Sequence, residues 1–572
     1  MRMRFFVAVT AALLLAISAS SSGRLAAQGA AALSGEVSSQ EEGKMEGVLV
    51  TVRPDGGIYT VTVVSDAKGQ YSLPRTHVQP GKYAVSIRAI GYDLASADSV
   101  EVSAGKTAKL DITLQKTKDL SRQLTSLDWI TIFPGTQAEK DKLAYQPMSC
   151  NYCHSYQRIL RSKHDEAGLV RAMERMKTYY VDGTASSDDG RGRIEKWTTF
   201  GESTGRVTPT PSTQGGIGTP FWAYSTNYPD KGSVPMADFA KYLATVNLGG
   251  GRTTWPFELK ATLPRPKGPA TRVIITQWDM PRKDAVLHDS AVDSKGNLWL
   301  GDESGQFITM LNPKANAITD YPLPDVPAEH LKGSRDVSVD ADDNPWFPMR
   351  VKGGAAVLTK LDPKTRMLTS ITEAMSQFTD NGPGNTIWAL GGQTVRVDAK
   401  TGKVTGTFKG VPGYQKVVSS TGVVCGANNT SVTCHDTKTG TDKVVTLPGG
   451  PNAYGRRGKM DAQDRYWFAE YSSDRIAMYD LKADQLKEWP VRKYSTPYCS
   501  SAPDRRGYVY APSNMSERII RLDPRTGETV EYLMPTELDT KEIQIDPSSG
   551  NRTVLLFTNK RNARAVRIEP LD

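Results

Sequence analysis

The segment His288-Asp-Ser-Ala-Val-Asp-Ser-Lys-Gly-Asn-Leu-Trp-Leu-Gly-Asp302 reads as a strand, a D-x-x-G-type turn and a second strand that carries a tryptophan. Aligning the chain on itself shows that this pattern recurs. In the first copy it continues with a strand ending at Met310-Leu-Asn-Pro313 and an outer strand, Ile318-Thr-Asp-Tyr-Pro-Leu-Pro324. A period of about forty residues with four strands per unit predicts a repeat architecture in which each unit is one small sheet.

Six further copies of the unit follow. Their marker segments are Arg335-Asp-Val-Ser-Val-Asp340, Asn385-Thr-Ile-Trp388, Cys425 to Cys434, Lys459-Met-Asp461, Ala502-Pro-Asp504 and Ile543-Gln-Ile-Asp-Pro547. Seven units between about residue 270 and residue 572 predict a seven-bladed β-propeller. The last copy stops after its third strand, and Val273 to Pro281 matches the outer strand of the first copy. We therefore expect this upstream segment to complete the last blade and leave no unpaired edge.

The repeat, with Trp467-Phe-Ala-Glu470, resembles the streptogramin (virginiamycin B) lyase-like propellers. That family opens a lactone ring by elimination, with histidine and glutamate at the channel mouth and a magnesium ion. The resemblance implies four catalytic candidates, His288, Asp302, Arg456 and Glu470. His288 is on an inner strand whose blade ends in Asp302 instead of glutamate, and Glu470 ends a blade that has Arg456 where the histidine is needed. The catalytic residues are therefore left unassigned.

The first residues of the predicted inner strands form the lining of the central funnel. They are His288, Asp289, Arg335, Asp336, Lys416, Tyr454, Arg456, Tyr498, Lys541 and Glu542. A mixed ring with aromatic side chains favours a polar or anionic small ligand. Salt bridges between neighbouring blades are the alternative role for each of these residues.

Cys150-Asn-Tyr-Cys-His154 is a CxxCH motif, the attachment sequence of c-type haem. Cys150 and Cys153 have the spacing needed for two thioether bonds to one haem, and His154 then supplies the proximal iron ligand. We predict one covalent haem c. A chance match or a redox pair of thiols is the alternative.

Residues 116 to 250 show helical periodicity around this motif. Thr136 to Tyr145 predicts a capped helix, Asp165 to Tyr180 a helix with one apolar face, and Val234 to Val246 a third. This order resembles class I c-type cytochromes, and that resemblance implies Met236 as the distal iron ligand. Alternatives at the sixth position are an open site or Met148, Met173, Met176 and His164.

Residues 33 to 115 alternate with period two and are interrupted by turn residues, which predicts a small antiparallel β-sandwich of about seven strands. The segments Gly47 to Val52, Asp66 to Pro74 and Pro80 to Tyr92 closely resemble the carboxypeptidase regulatory-like domain. The resemblance implies a transthyretin-like accessory module of a kind sometimes associated with carbohydrate or surface binding.

Residues 1 to 28 have the charged start and short apolar run of a secretory signal peptide, which predicts a periplasmic or secreted protein. No other stretch is apolar for long enough to span a membrane. The formal charge of +9 comes from scattered residues, and no nucleic-acid motif is present. We expect a redox partner protein or a small electron donor or acceptor as the partner; the oligomeric state is left open.

Three cysteines lie outside the haem motif. Cys425 and Cys434 occupy the two arms of a predicted hairpin, where an oxidising compartment permits a disulfide. Two packed free thiols are the alternative. Cys499 is then unpaired and is expected to be a buried, small apolar residue.

The sequence thus predicts a multidomain, mainly β protein with an N-terminal sandwich, a helical cytochrome c domain and a C-terminal propeller. The favoured function is electron transfer by an exported haem protein, with the propeller binding or oxidising a small substrate or docking a partner. The alternative is a lyase or ligand-binding propeller with an accessory cytochrome domain.

Overall fold

The computed structural model describes residues 30–145, 154–176, 236–303, 305–326, 333–351, 356–450 and 453–572. The chain divides into two compact units. The first, called the N-terminal unit below, consists of residues 1–117, 265–276 and 570–572. The second, called the large unit, consists of residues 118–264 and 277–569.

The N-terminal unit is a β-sandwich, as predicted. Its strands are β1 Ala31–Ser39, β2 Gly43–Lys44, β3 Leu49–Pro54, β4 Tyr59–Val64, β5 Gln70–Pro74, β6 Gly81–Arg88, β7 Tyr92–Leu94, β8 Ser99–Val102, β9 Ala108–Lys109 and β10 Ile112–Lys116. One sheet has the order β2-β1-β10-β7 with β5 and β9 also on β1, and the other contains β4-β3-β6-β8. Alternate residues such as Val50, Val52, Tyr83 and Val85 point into one apolar core.

The pairing of β1 differs from the all-antiparallel prediction. Val37 pairs with Ile112 of β10 and Leu33 pairs with Ala108 of β9, both in parallel. The chain returns at the end of the unit so that its final strands run in the same direction as the first. Alternation of apolar residues reports which face is buried but carries no information on strand direction, which explains the error.

Five helices lie within the described part of the large unit. They are α1 Ser126–Ile132, α2 Gln137–Tyr145, α3 Tyr156–Leu160, α4 Glu166–Met176 and α5 Met236–Val246. The predicted cap of α2 is present, because the Thr136 hydroxyl accepts the Glu139 amide hydrogen while the Glu139 carboxylate accepts the Thr136 amide hydrogen. Among the described residues, none of the helices is long and apolar enough to cross a membrane.

Helix α1 was not predicted from the sequence. Thr125 and Asp128 form a capping box at its start, and the Asp128 carboxylate also accepts the amide hydrogens of Thr262 and Leu263. The Thr-x-x-Asp spacing is a helix-start signal that was available in the sequence. The helix is short and buries Trp129 completely, so tertiary packing supports it more than its own length does.

The rest of the large unit is a propeller-like set of small sheets. Five of the sheets have four strands each, in chain order. The first contains β12 Leu287–Val292, β13 Leu298–Asp302, β14 Phe307–Asn312 and β15 Ala317–Pro322; the second contains β16 Ser338–Val339, β17 Pro345–Arg350, β18 Ala356–Leu361 and β19 Leu368–Met375; the third contains β20 Thr379–Gly382, β21 Thr386–Leu390, β22 Gln393–Asp398 and β23 Val404–Lys409. The fourth contains β24 Lys416–Val418, β25 Val423–Ala427, β26 Ser431–Asp436 and β27 Asp442–Thr446, and the fifth contains β28 Gly455–Met460, β29 Arg465–Glu470, β30 Arg475–Asp480 and β31 Gln485–Pro490. The first strands of these five sheets follow one another in contact, as the inner strands of a propeller do.

Two further sheets complete the series in the described residues. One contains β32 Val509–Ser513, β33 Arg518–Leu522 and β34 Thr529–Leu533, and the other contains β35 Gln544–Ile545, β36 Leu555–Asn559 and β37 Arg564–Pro570. Strand β11, Val273–Asp279, lies next to β37, which confirms the predicted closing strand. The Met280 amide donates to the Ala563 carbonyl (3.0 Å), and Arg564 Nε lies 2.7 Å from Asp279 Oδ1. Because β35 contacts β12, the last sheet is adjacent to the first.

The recurring aspartate explains why the repeat is visible in sequence. In three of the turns its carboxylate accepts backbone amide hydrogens and also the indole N–H of the tryptophan six residues later. The Trp Nε1 to Asp Oδ2 distances are 3.3 Å for Trp299 and Asp293, 2.9 Å for Trp346 and Asp340, and 2.9 Å for Trp467 and Asp461. A buried indole needs such an acceptor, so the two residues recur together.

Cys425 and Cys434 are directly opposite each other in β25 and β26 and form a disulfide. Replacing both with serine is expected to lower the free energy of unfolding by about 2–3 kcal/mol, since the cross-link restricts the unfolded chain. Denaturant unfolding of the oxidised protein measures the loss. Cys499→Ala is the control, because Cys499 is free and buried. An equal loss in the control would show that core packing and not the cross-link is responsible.

Candidate functional site

The segment before Cys150 is anchored to the propeller-like sheets of the same unit. Tyr145, the last residue of α2, donates its hydroxyl hydrogen to Asp474 Oδ2 at 2.6 Å. The Ser472 hydroxyl donates to the Tyr145 carbonyl at 2.7 Å. The Tyr145 ring also lies 5.4 Å from that of Tyr494. Tyr145, five residues before the CxxCH motif in sequence, is therefore held beside the fifth sheet.

The segment after Cys153 is anchored as well. The Ser155 hydroxyl donates to Glu537 Oε1 at 3.0 Å, which fixes it to the loop before the last sheet. The Tyr156 amide donates to the Ser126 hydroxyl (3.2 Å), and the Tyr156 hydroxyl donates to the Leu143 carbonyl (2.8 Å). Tyr145 upstream of the motif and Ser155 directly after it thus both contact the propeller-like sheets, and Tyr156 is also attached to the helices.

His154 has the form required of an iron ligand. Its Nδ1 lies 3.0 Å from the Ser155 carbonyl oxygen. A carbonyl can only accept, so Nδ1 carries the proton and Nε2 keeps its lone pair. Burial lowers the pKa of His154 to about 4, so the ring is neutral at pH 7. A neutral imidazole with an oriented Nδ1–H is the usual arrangement of a metal-binding histidine, and the residue fits a haem iron.

The other predicted haem residues are less well defined. Cys150, Cys153 and the side chain of Met236 lie outside the described residues, so their roles stay predictions. Met148 and the side chain of Met176 also lie outside them. Of the remaining alternatives to Met236, Met173 is buried on α4 and His164 is exposed.

A cage of tyrosines surrounds Arg456 where the first strand of the fifth sheet begins. The guanidinium carbon is 4.3 Å from the ring centre of Tyr414, 5.2 Å from that of Tyr454 and 4.6 Å from that of Tyr498. The guanidinium donates to the Tyr454 hydroxyl (2.6 Å) and to that of Tyr498. Lys541 Nζ lies 4.4 Å from the Tyr498 ring centre. The structure therefore brings together Arg456, Tyr454, Tyr498 and Lys541, as predicted, and adds Tyr414.

A second group of charges adjoins this cage. Arg335 Nε lies 2.6 Å and Lys560 Nζ 3.1 Å from carboxylate oxygens of Glu303, and Lys541 Nζ lies 2.6 Å from Asp539 Oδ1. Glu303 and Lys560 were not among the predicted residues. Glu303 directly follows β13, the second strand of its sheet, and comparing this position across the aligned repeats would have identified it. Together with the Arg456 cage, these residues are called the funnel mouth below.

The funnel mouth is close to the haem motif. Arg561, the neighbour of Lys560, is one of the cations that lower the pKa of His154. Its side chain is buried, as is that of Lys560. The positive charge of Arg561 therefore acts on His154.

The candidates from the lyase resemblance have separate partners. Asp302 Oδ2 lies 3.0 Å from Arg282, and its Oδ1 accepts amide hydrogens from Val286 and Gly305, both at 3.1 Å. His288 is fully buried, with Nδ1 3.0 Å from Asp289 Oδ1, and burial holds its pKa well below the usual range. Asp302 thus binds Arg282 and the backbone of Val286 and Gly305, while His288 lies beside Asp289 and not beside Asp302.

Glu470 is a buried carboxyl that retains its proton at neutral pH. Burial raises its pKa to about 8, and the Ser473 hydroxyl donates to its Oε2 at 2.6 Å. Between about pH 4.5 and pH 8 the unfolded chain loses this proton and the folded chain keeps it, so stability falls across that window. We expect Glu470→Gln to match the wild type at pH 4.5 and to be more stable above pH 8. Denaturant unfolding at both pH values measures this, and a pH-independent difference would contradict the assignment.

Comparisons with known proteins agree with the sandwich assignment. Residues 32–115 match the family model of the carboxypeptidase regulatory-like domain. A search of curated proteins finds no match. Among solved structures, the chain is similar to virginiamycin B lyase from Staphylococcus aureus, at 16% identity, a TM-score of 0.43, and coverage of 52% of this chain and 99% of that one.

Two further solved structures are similar to the same extent. A streptogramin B lyase shares 15% identity with a TM-score of 0.43, covering 53% of this chain and 99% of that one. The Pan2 WD40 domain of Neurospora crassa shares 13% identity with a TM-score of 0.40, covering 50% of this chain and 90% of that one. The sheet order described above, and not these similarities, defines the propeller-like part of the chain.

Proposed function

We propose that this chain is an exported c-type haem protein that transfers single electrons, and that its funnel mouth binds the small anionic molecule or partner group with which it exchanges them. The observation that carries the proposal is the state of His154 in the CxxCH motif, a neutral imidazole whose Nδ1–H lies on the Ser155 carbonyl. The contacts of Tyr145 and Ser155, on either side of the motif, with the propeller-like sheets support it.

Each residue of the CxxCH motif has its own role in binding the haem. Cys150 and Cys153 hold the haem through thioether bonds, so the haem does not dissociate from the chain. His154 presents Nε2 to the iron, and the Ser155 carbonyl keeps the ring in that tautomer. Met236, if it is the distal ligand, raises the reduction potential relative to a second nitrogen. The bound haem supplies the one-electron chemistry.

The funnel mouth supplies the binding chemistry. Arg456, with tyrosine hydroxyls as hydrogen-bond partners, offers a planar cation in an aromatic wall, an arrangement that favours carboxylates and related anions. Arg335 and Lys541 add positive charge nearby. Such a surface attracts an anionic donor toward the haem and raises the rate of encounter.

A potentiometric titration with optical detection tests the function. The protein is produced in cells with c-type haem maturation, beside a Cys150→Ala/Cys153→Ala variant and a Cys499→Ala control. Cys499 is suitable because burial raises its pKa to about 12 and keeps the thiol unreactive. We expect one reversible one-electron transition in the wild type and the control, and none in the double variant. Identical curves for all three proteins would overturn the proposal.

The role of Arg456 is tested by reduction kinetics with ascorbate as a small anionic donor. We expect Arg456→Gln to lower the second-order rate constant of haem reduction about tenfold, the effect of losing a charge-assisted hydrogen bond. The exposed Arg505→Gln is the matched control and is expected to leave the rate unchanged. An equal rate for Arg456→Gln at low ionic strength would contradict anion binding at the cage.

A further inference from the structure

Three buried carboxylates converge where the innermost segments of the first, second and last sheets begin. Asp289, Asp336 and Glu542 each offer an oxygen, and these oxygens lie within 4.8 Å of one another. The residues are 0%, 2% and 2% exposed. Glu542 is more than two hundred positions from the other two along the chain, so the fold and not local sequence brings the three together. None of them belongs to the funnel-mouth group around Arg456 and Glu303.

The charges of this cluster do not balance. Arg457 Nη2 lies 2.5 Å from Asp289 Oδ2, and Lys459 pairs with Glu542. The half-buried Asp380 interacts with Lys459 as well. When ionised, these four carboxylates and two cations carry two excess negative charges.

Two buried oxygens in the cluster lack a hydrogen-bond donor. Glu542 Oε1 accepts from Gln415 (3.2 Å), but Glu542 Oε2 has no hydrogen-bond partner among the described residues. Asp289 Oδ1 also has no hydrogen-bond partner among the described residues. His288 Nδ1 lies 3.0 Å from it but outside hydrogen-bond geometry. Leaving a buried charged oxygen without a partner is costly, so the cluster has capacity for a ligand that supplies positive charge.

We propose that Asp289, Asp336 and Glu542 bind one hard divalent cation, with Ca²⁺ as the best fit, at the centre of the propeller-like sheets. Carboxylate oxygens are the ligands that hard cations prefer. Two oxygens bonded to the same Ca²⁺ at 2.3–2.6 Å are at most about 5 Å apart, a limit that the 4.8 Å spacing satisfies. One divalent charge also neutralises the two-charge excess.

Because such a cation bridges the first, second and last sheets, it closes the ring of sheets from inside. Its role is structural, and it does not depend on the haem or on the funnel mouth. The cation binds the folded chain in preference to the unfolded chain, so it raises the thermal midpoint of the large unit as its concentration increases.

Element analysis and calorimetry of the intact protein test this site. After dialysis against EDTA at pH 8 and against a metal-free buffer, the protein is titrated with Ca²⁺, and with Mg²⁺ for comparison. We expect one bound Ca²⁺ per chain and a rise in Tm with added Ca²⁺. Glu542→Gln and Asp336→Asn are each expected to weaken Ca²⁺ binding at least tenfold. Glu528→Gln, an exposed glutamate, is the matched control.

Each outcome of these measurements supports or overturns the proposed cation site. No bound Ca²⁺ and no Ca²⁺-dependent rise in Tm for the wild type would overturn the site and indicate that protons neutralise the cluster. Binding that is unchanged in both Glu542→Gln and Asp336→Asn would overturn it by placing the cation elsewhere. If one variant fails to fold, the other decides, and folding of either only when Ca²⁺ is present supports the site.

Discussion

A His154→Ala variant is expected to keep its haem covalently attached and to lose the spectrum and potential of the intact protein. In the proposed haem protein the two thioether bonds would not depend on the histidine, whereas the iron would lose its nitrogen ligand. The Nδ1 of His154 lies 3.0 Å from the Ser155 carbonyl oxygen, so Nε2 is the atom that would bind the iron in the proposed haem protein. We expect a shifted Soret band, a loss of the one-electron transition in its original position, and partial recovery when imidazole is added.

The matched control is His77→Ala, a histidine of the N-terminal unit. It is expected to leave the spectrum and the potential unchanged. An unaltered spectrum in His154→Ala would contradict the assignment of the proximal ligand. Failure of added imidazole to change the variant's spectrum would argue against an open coordination position.

Replacing Arg457 with methionine is expected to lower the free energy of unfolding by about 3–5 kcal/mol, the usual cost of removing one partner of a buried ion pair. Arg457 is fully buried, lies 2.5 Å from Asp289 Oδ2 and donates from Nε to Gln415 at 3.2 Å. Methionine occupies much of the same volume but leaves Asp289 without its counter-charge. Denaturant unfolding at pH 7 measures the change.

The control for this variant is Arg492→Met. Arg492 is exposed and pairs with Glu531 at 3.0 Å, an ion pair expected to contribute less than about 1 kcal/mol. Equal, small losses in both variants would show that the buried pair does not stabilise the fold.

Much of the fold was readable in the sequence because the relevant signals are local or periodic. The Asp–Trp pairing recurs in three of the turns, and self-alignment found the units and also the strand Val273–Asp279 that lies beside the last one. Thr136 and Glu139 signalled the start of α2 in the same way. Strand direction in the sandwich was not readable, since apolar alternation is the same for parallel and antiparallel pairs.

The sites were harder to predict because they depend on contacts between distant segments. His154 was identified by its neighbours in sequence, whereas the attachment of Ser155 to Glu537 spans 382 residues. Single positions such as Asp289 and Glu542 were named as funnel residues, but their convergence with Asp336 follows only from the arrangement of the sheets. Asp302, by contrast, which the lyase resemblance had implied as a catalytic candidate, pairs with the nearby Arg282.

Mass spectrometry of the denatured intact protein, produced with c-type haem maturation, tests the central claim most directly. Denaturation removes any haem that is merely bound, so only covalent attachment adds to the mass of the chain. We predict one haem increment per chain together with a Soret band, and neither in Cys150→Ala/Cys153→Ala. A chain of unmodified mass with no Soret absorption would contradict the account.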